Sequence, residues 1–356
     1  MKMGKIFLLA STAFCAGAIL AGPAAAAGDW YNNTRISGQM FFDFTNISHK
    51  SDGVKQADTG TNFDIKRFYV SIDHQFDDVF SADITSDFNY VGNDGQTQLF
   101  IKKAYLRAHF SDAFDLRLGS SDMPWVPFID GLSGHRYIEN SLLDRTKFGT
   151  SADWGIHASG KLANGFLNYA VSVVNGAGYR KTVRSKGVDV EGRIRANVDD
   201  FTFGVGGYVG KLGKDVQGSA PVFHTASRFD AVAAYTNTKI RVGVEYFMAN
   251  DWNNVTNPVS DKSQGIGVFA SYQFAPRWGV FGRYDYVKPN KDTNASLTDN
   301  YFNAGVSYSP AKSVDLALVY KRNRAVSGFI KTSNGTIGGL GAGTYDEIGV
   351  FSRVRW

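Results

Sequence analysis

Beyond its first thirty residues, this chain alternates apolar and polar side chains one for one. In Val314-Asp315-Leu316-Ala317-Leu318-Val319-Tyr320, one parity is Val, Leu, Leu and Tyr, while the other opens on Asp and continues to Lys321 and Asn323. Ile240-Arg241-Val242-Gly243-Val244-Glu245-Tyr246 places Arg and Glu on one face, and Phe114–Leu118 and Ile348–Trp356 follow the same rule. A period of two marks a strand whose two faces meet different environments. No stretch holds a 3.6-residue stripe beyond about two turns, so an all-β chain is predicted. Sixteen such segments are predicted, at about 34–46, 62–75, 79–91, 98–111, 113–121, 152–163, 165–176, 186–198, 200–212, 222–236, 238–250, 262–275, 277–288, 299–309, 312–326 and 343–356.

The connections alternate too. Seven are short, such as Phe76–Val79, Ala163-Asn164 and Ala275-Pro276. Eight are long, among them 50–60, 178–186, 251–261 and 327–342. An even strand number with short turns at one end and long loops at the other predicts an antiparallel transmembrane β-barrel with both chain ends on the periplasmic side. A soluble sandwich fits less well, because the predicted strands exceed the usual five or six residues. A propeller would show a repeat of roughly 40 residues, and none is present.

Charges test the register, since Arg or Lys facing lipid at mid-bilayer costs on the order of 2–4 kcal/mol. Val188, Val190, Ile194 and Ala196 take one parity, and Asp189, Glu191, Arg193 and Arg195 the other. Lys66, Lys102 and Arg322 fall on the apolar parity, near the long-loop ends, where a charge reaches the headgroups at little cost. Aromatics flank the short turns: Phe76, Phe80, Phe110, Phe114, Phe166, Phe201, Tyr235, Phe274, Trp278 and Tyr308. Such rings favour the boundary of hydrocarbon and water, so they are read as a periplasmic girdle.

The N-terminus reads as an address. Lys2 and Lys5 precede an apolar run from Ile6 to Leu20, Gly22-Pro23 breaks it, and Ala24–Ala27 supplies small residues. That is the layout of a secretory signal peptide, with cleavage expected after Ala27, leaving 28–356 as the pore domain. The single Cys excludes a disulfide framework and a Cys-based zinc site. The net charge of +5 falls to +3 without Lys2 and Lys5, and its even spread gives no sign of nucleic-acid binding. No cofactor is indicated.

Sixteen strands enclose an aqueous channel, whereas eight fill their own interior. Passive diffusion of small hydrophilic solutes and ions is therefore expected. Candidate wall residues for selectivity are Arg67, Arg107, Arg117, Arg241 and Arg283. The third long connection, about 122–151, is far longer than an ordinary loop and carries Trp125, Phe128, Tyr137, Ile138, Leu142 and Leu143, which need burial. It is expected to fold inward and narrow the pore with Asp130, His135, Arg136, Glu139, Asp144, Arg145 and Lys147. Mild anion preference is expected if Asp144 is paired.

Leu118-Gly119, Met123-Pro124-Trp125-Val126-Pro127-Phe128, Arg136-Tyr137-Ile138-Glu139, Leu143-Asp144-Arg145, Ser151-Ala152-Asp153-Trp154-Gly155 and Tyr169-Ala170-Val171-Ser172-Val173-Val174-Asn175-Gly176 resemble bacterial general porins related to the phosphate-selective porin O/P family. The resemblance implies a trimeric, sixteen-stranded outer-membrane channel whose third loop enters the lumen. In that family an arginine ladder and a lysine-rich entrance select phosphate. Here the outer-loop lysines are scattered, which points to a general porin. The closing strand ending at Trp356 resembles the signal read by the outer-membrane barrel-assembly machinery, although Phe is commoner there.

Weaker motifs add little. Gly339-Leu340-Gly341-Ala342-Gly343 has no helix after it and is read as flexible loop rather than a nucleotide site. Asp292 with Asp299 could hold a divalent cation, though solvation is the simpler expectation. A barrel enzyme of lipase or protease type, or an adhesin, is the competing function. His49, His74, His109, His135, His157 and His224 belong to no recognisable nucleophile motif.

Overall fold

The computed structural model describes residues 31–91 and 96–356. The signal-peptide reading lies outside these residues. The wall strands are β1 (Thr34–Ser51), β3 (Gly60–Gln75), β4 (Phe80–Val91), β5 (Gln96–Ser111), β6 (Phe114–Asp122), β7 (Ala152–Leu162), β8 (Leu167–Val174), β9 (Asp189–Val198), β10 (Phe201–Gly210), β11 (Ala226–Thr236), β12 (Ile240–Asn250), β13 (Lys262–Ala275), β14 (Trp278–Lys288), β15 (Thr298–Ala311), β16 (Val314–Thr332) and β17 (Gly335–Arg355). The two-residue β2 (Val54–Lys55) folds back on β1 within a long loop. Each wall strand pairs antiparallel with its sequence neighbour, and β1 closes on β17 from Gln39↔Arg355 to Ser51↔Gly343. The result is the closed sixteen-strand barrel that the alternation predicts. Closure gives every wall strand a neighbour on both sides, as a hydrocarbon surround requires, with the β3–β4 ladder confined to Ser71↔Thr85 through Gln75↔Ser81.

The outer surface is apolar because the wall has no second sheet to cover it. Ile36, Phe44, Leu118, Ile194, Val205, Leu318 and Val350 are all exposed there. The predicted girdle forms at the short-turn end. Phe110 stacks on Phe114 with ring centres 5.6 Å apart, Phe201 meets Tyr235 at 5.0 Å and Trp278 meets Tyr308 at 4.5 Å.

The structure corrects the register at two of the three charged exceptions. Phe41 pairs with Arg67 but Phe42 pairs with Ile65, leaving Lys66 as an extra residue. Thr85 pairs with Lys103 but Ser86 with Ile101, leaving Lys102 extra. Each is a β-bulge, which sends two consecutive side chains to the same face. Lys66 therefore points inward, its Nζ 3.1 Å from Asp43 and 3.2 Å from Glu347. Lys102 also turns inward, with Nζ 4.6 Å above the centre of the Tyr69 ring. Arg322 does face outward, but it is paired there with Asp346 at 3.3 Å.

The last long loop is also corrected. Predicted as loop over 327–342, it is a hairpin: β16 and β17 run on to Thr332↔Gly335. Ala325, Ile330, Ile337 and Tyr345 form a small apolar cluster that holds it. The stretch Gly339–Gly343 lies in β17, not in a flexible loop. Its backbone amides at Leu340, Gly341 and Ala342 donate to the Asp52 carboxylate at 2.8–3.0 Å.

Candidate functional site: the inward loop and the lumen wall

The segment between β6 and β7 enters the barrel, as its apolar residues predict. It holds α1 (Val126–Ser133) and α2 (Leu142–Arg145). Pro127 favours the first turn of α1, and Gly134 ends it in the left-handed conformation at φ 75°. Met123, Trp125, Val126, Ile129, Leu132, Leu142, Leu143 and Phe148 are buried against inward-facing Val232, Ala234, Phe247 and Phe269 of the wall. Room for this contact comes from β10. A Cβ at Gly206 would lie 2.6 Å from Trp125 Cε3, and one at Gly204 would lie 3.0 Å from Phe128 Cε1.

Four arginines fasten the loop. Arg145 is fully buried, its Nε 2.9 Å from Asp285, its Nη2 2.8 Å from Asp299, and its Nη1 donating to Asn323 Oδ1 at 3.2 Å. Its guanidinium also sits 4.4 Å from the Tyr301 ring centre. Arg241 donates to the carbonyls of Gly131 and Leu132 at 2.9 and 3.0 Å, closing the end of α1. Arg283 donates to the Asn140 carbonyl at 2.5 Å and to Asp285 at 2.7 Å. Arg228, not singled out from the sequence, donates to the Phe148 carbonyl at 2.5 Å and pairs with Asp230 and Glu191. Arg145, Arg241 and Arg283 thus spend their donors on holding the loop. The acids Asp285 and Asp299 serve the same anchor, so Asp299 is not an open cation ligand. Asp292 lies 3.9 Å from Lys262.

The loop's acids are also committed. Arg136 pairs with Asp130 at 3.1 Å and with Asp144 at 3.3 Å. Glu139 faces Lys321 at 3.6 Å and accepts from Ser333 at 2.7 Å and Asn334 at 2.9 Å, both at the tip of the β16–β17 hairpin. Burial works against the Glu139 carboxylate, but Lys321 and these two donors hold its pKa well below the ordinary value. The Ser333 amide donates to the Arg145 carbonyl at 2.8 Å, so the last hairpin folds over the inward loop. His135 stacks on Phe281 at 4.5 Å, with Nδ1 2.9 Å from the Ser133 carbonyl. Burial, with Arg353 and Arg241 nearby, pushes its pKa down to about 4, so it is neutral at pH 7. Lys147 is exposed in the barrel mouth at φ 64°. Desolvation of its ammonium lowers its pKa; Asp144 and Glu139 oppose that shift, and Arg67 and Arg180 add to it.

Opposite the loop, Arg67 pairs with Asp87 at 2.9 Å. Lys102 donates weakly to the Tyr69 hydroxyl at 3.5 Å, and Arg180 stacks 4.5 Å from the Phe100 ring centre. Among the described residues, no acid lies within ion-pair distance of Lys102, Lys147 or Arg180. Arg107 and Arg117 sit nearer the short-turn end, both against Asp115 at 2.5 and 3.2 Å. Lys102 and Arg180 were absent from the sequence candidates; only the bulge exposes the first.

A closed barrel with an apolar exterior, a charged interior and a loop packed inside it defines a channel-forming membrane protein. The sequence profile of the Gram-negative porins matches residues 10–324, and the chain belongs to that family. No curated protein matches the chain. Among solved structures, it is similar to the anion-selective porin of Comamonas acidovorans, at 11% identity and TM-score 0.67 over 91% of this chain and 99% of that one. Vibrio cholerae OmpT, solved in a trimer form, matches at 14% identity and TM-score 0.64 over 91% and 99%. The DcaP channel of Acinetobacter baumannii matches at 13% identity and TM-score 0.64 over 91% and 97%. At these identities the likeness concerns the fold.

Proposed function

We propose that this chain forms a pore of the bacterial outer membrane through which small hydrophilic solutes and ions diffuse passively, with a mild preference for anions. One observation carries the preference: at the inward loop, Asp130, Asp144 and Glu139 each have a basic partner, whereas among the described residues no acid lies within ion-pair distance of Lys102, Lys147 or Arg180. Asp64, an acid facing the same lumen without an ion pair among the described residues, keeps the excess small. A surplus of fixed positive charge in a narrow aqueous passage raises the local anion concentration.

The name of the Comamonas porin agrees with this preference. The trimer form of Vibrio cholerae OmpT supports assembly as a homotrimer. Export would use the N-terminal 27 residues, and insertion would use the barrel-assembly machinery acting on the strand that ends at Trp356. Planar bilayer recording tests the reading. Open-channel steps should appear, with a reversal potential favouring chloride in a KCl gradient. A cation-favouring reversal refutes the preference, and absence of any step refutes the pore. Hydrolysis of a lipid or peptide ester, lost on changing one His, would instead favour a barrel enzyme.

A further inference from the structure

On the short-turn side of the inward loop lies a second concentration of positive charge. Arg193 and Arg195 occupy successive inward positions of β9, close to its short-turn end. Two residues of strand span about 6.6 Å, so the two guanidinium groups are within mutual repulsion. The other inward acids of β9 do not offset them. Glu191 is taken by Arg228 and by the Trp125 amide at 2.9 Å. Asp189 accepts from the amides of Lys211 and Leu212 at 2.8 and 2.7 Å. Among the described residues, Arg193 has no hydrogen bond and no ion pair, and its Nε and Nη1 are buried without a partner. Arg195 has only a long contact, Nη2 to Asn168 Oδ1 at 3.5 Å. Both guanidinium groups face the Phe128 ring of the loop, 4.2 and 5.4 Å from its centre.

These groups line a cavity of about 480 Å³. Its loop side is apolar, formed by Pro124, Pro127, Phe128 and Leu132; its wall side carries the two arginines together with Arg117, and the one acid on its lining, Asp122, is taken by Lys103 at 2.7 Å. We propose that this cavity is a binding station for small organic carboxylates, below the constriction and separate from Lys102, Lys147 and Arg180. The carboxylate would take the two guanidinium groups, which present donors in a planar fork suited to it, and the apolar body would rest on the loop. A bare inorganic anion would use only half of this surface. The proposal rests on the porin reading.

The test is current recording through the reconstituted full-length channel, with benzoate, acetate or inorganic phosphate added to one side and then the other. Benzoate should interrupt the current at concentrations at least tenfold below those at which acetate or phosphate do, and more readily from the short-turn side. Arg193→Gln with Arg195→Gln should raise the half-blocking benzoate concentration tenfold or more. Phe128→Leu keeps the loop's apolar contact and should reduce the benzoate advantage over acetate if the double variant does not fold. Conducting channels that benzoate does not interrupt, or that it interrupts equally in wild type and variants, overturn the station and leave the porin reading standing. Equal potency of phosphate and benzoate also overturns it, in favour of a plain anion site. Absence of any conductance overturns both.

Discussion

Arg145 gives the most direct test of how the inward loop is held. Replacing it by Met keeps most of the side-chain volume and removes the cation. Asp285 retains Arg283, which donates to it at 2.7 and 2.8 Å. Asp299 keeps the Asn323 amide but loses its one cation among the described residues. One buried carboxylate is therefore left uncompensated, and breaking a buried pair in this way costs about 3–5 kcal/mol. Because Asp285 stays paired, the lower end applies. At 1.4 kcal/mol per tenfold, about 3 kcal/mol raises the fraction of undocked loop roughly a hundredfold. Trypsin cleavage after Lys147 reads that fraction, since proteolysis of an opened segment tracks its population when closing is fast. The folded channel in detergent should be cut about a hundred times faster in Arg145→Met. Adding Asp299→Asn removes the orphan charge and should restore most of the protection. A single variant cut within threefold of wild type would show that the loop does not depend on this anchor.

Further outcomes follow from the same geometry. Lys102→Gln together with Lys147→Gln removes two cations that lack acid partners, and the KCl-gradient reversal potential should move toward the cation side; no movement sinks the proposed basis of the preference. His135 has an ordinary pKa of 6.5 and a folded value of about 4, so the undocked loop binds an extra proton between them. Docking should weaken as pH falls from about 6.5 to about 4 and be level above; open-channel noise should rise over that interval and not in His135→Gln. Gly206→Ala places a methyl 2.6 Å from Trp125 Cε3, and overpacking of this kind costs about 1–3 kcal/mol, read as faster cleavage after Lys147. Trp356→Ala should slow insertion into membranes by the assembly machinery while leaving spontaneous refolding in detergent less affected; equal rates with the machinery present would remove Trp356 from that role.

Much of the barrel is legible in the sequence for a simple reason. Each wall residue faces either lipid or the interior, so its chemistry records its face one residue at a time. Val188 and Ile194 are exposed outside while Asp189 and Glu191 are buried inside, as the parity of β9 predicts. The aromatics at the short turns and the apolar residues of the inward loop are equally local signals. The Gly-rich β10 also carried a trace of the loop's docking place, because glycines at two inward positions leave room that a side chain would fill.

What the sequence did not settle depends on residues brought together from afar. Whether Lys66 and Lys102 meet lipid or lumen is decided by how two strands slip past one another, and a bulge leaves no mark in either strand alone. Arg145 lies 140 positions before Asp285 and 154 before Asp299, so its conversion from a candidate pore charge to a buried anchor is a property of closure. The same holds for Asp52 against the amides of Leu340, Gly341 and Ala342, and for Ser333 and Asn334 on Glu139. Side-chain type and spacing determined which face each strand shows; tertiary structure determined which charges neutralise one another and which remain for a solute, because pairing is a matter of distance across the barrel.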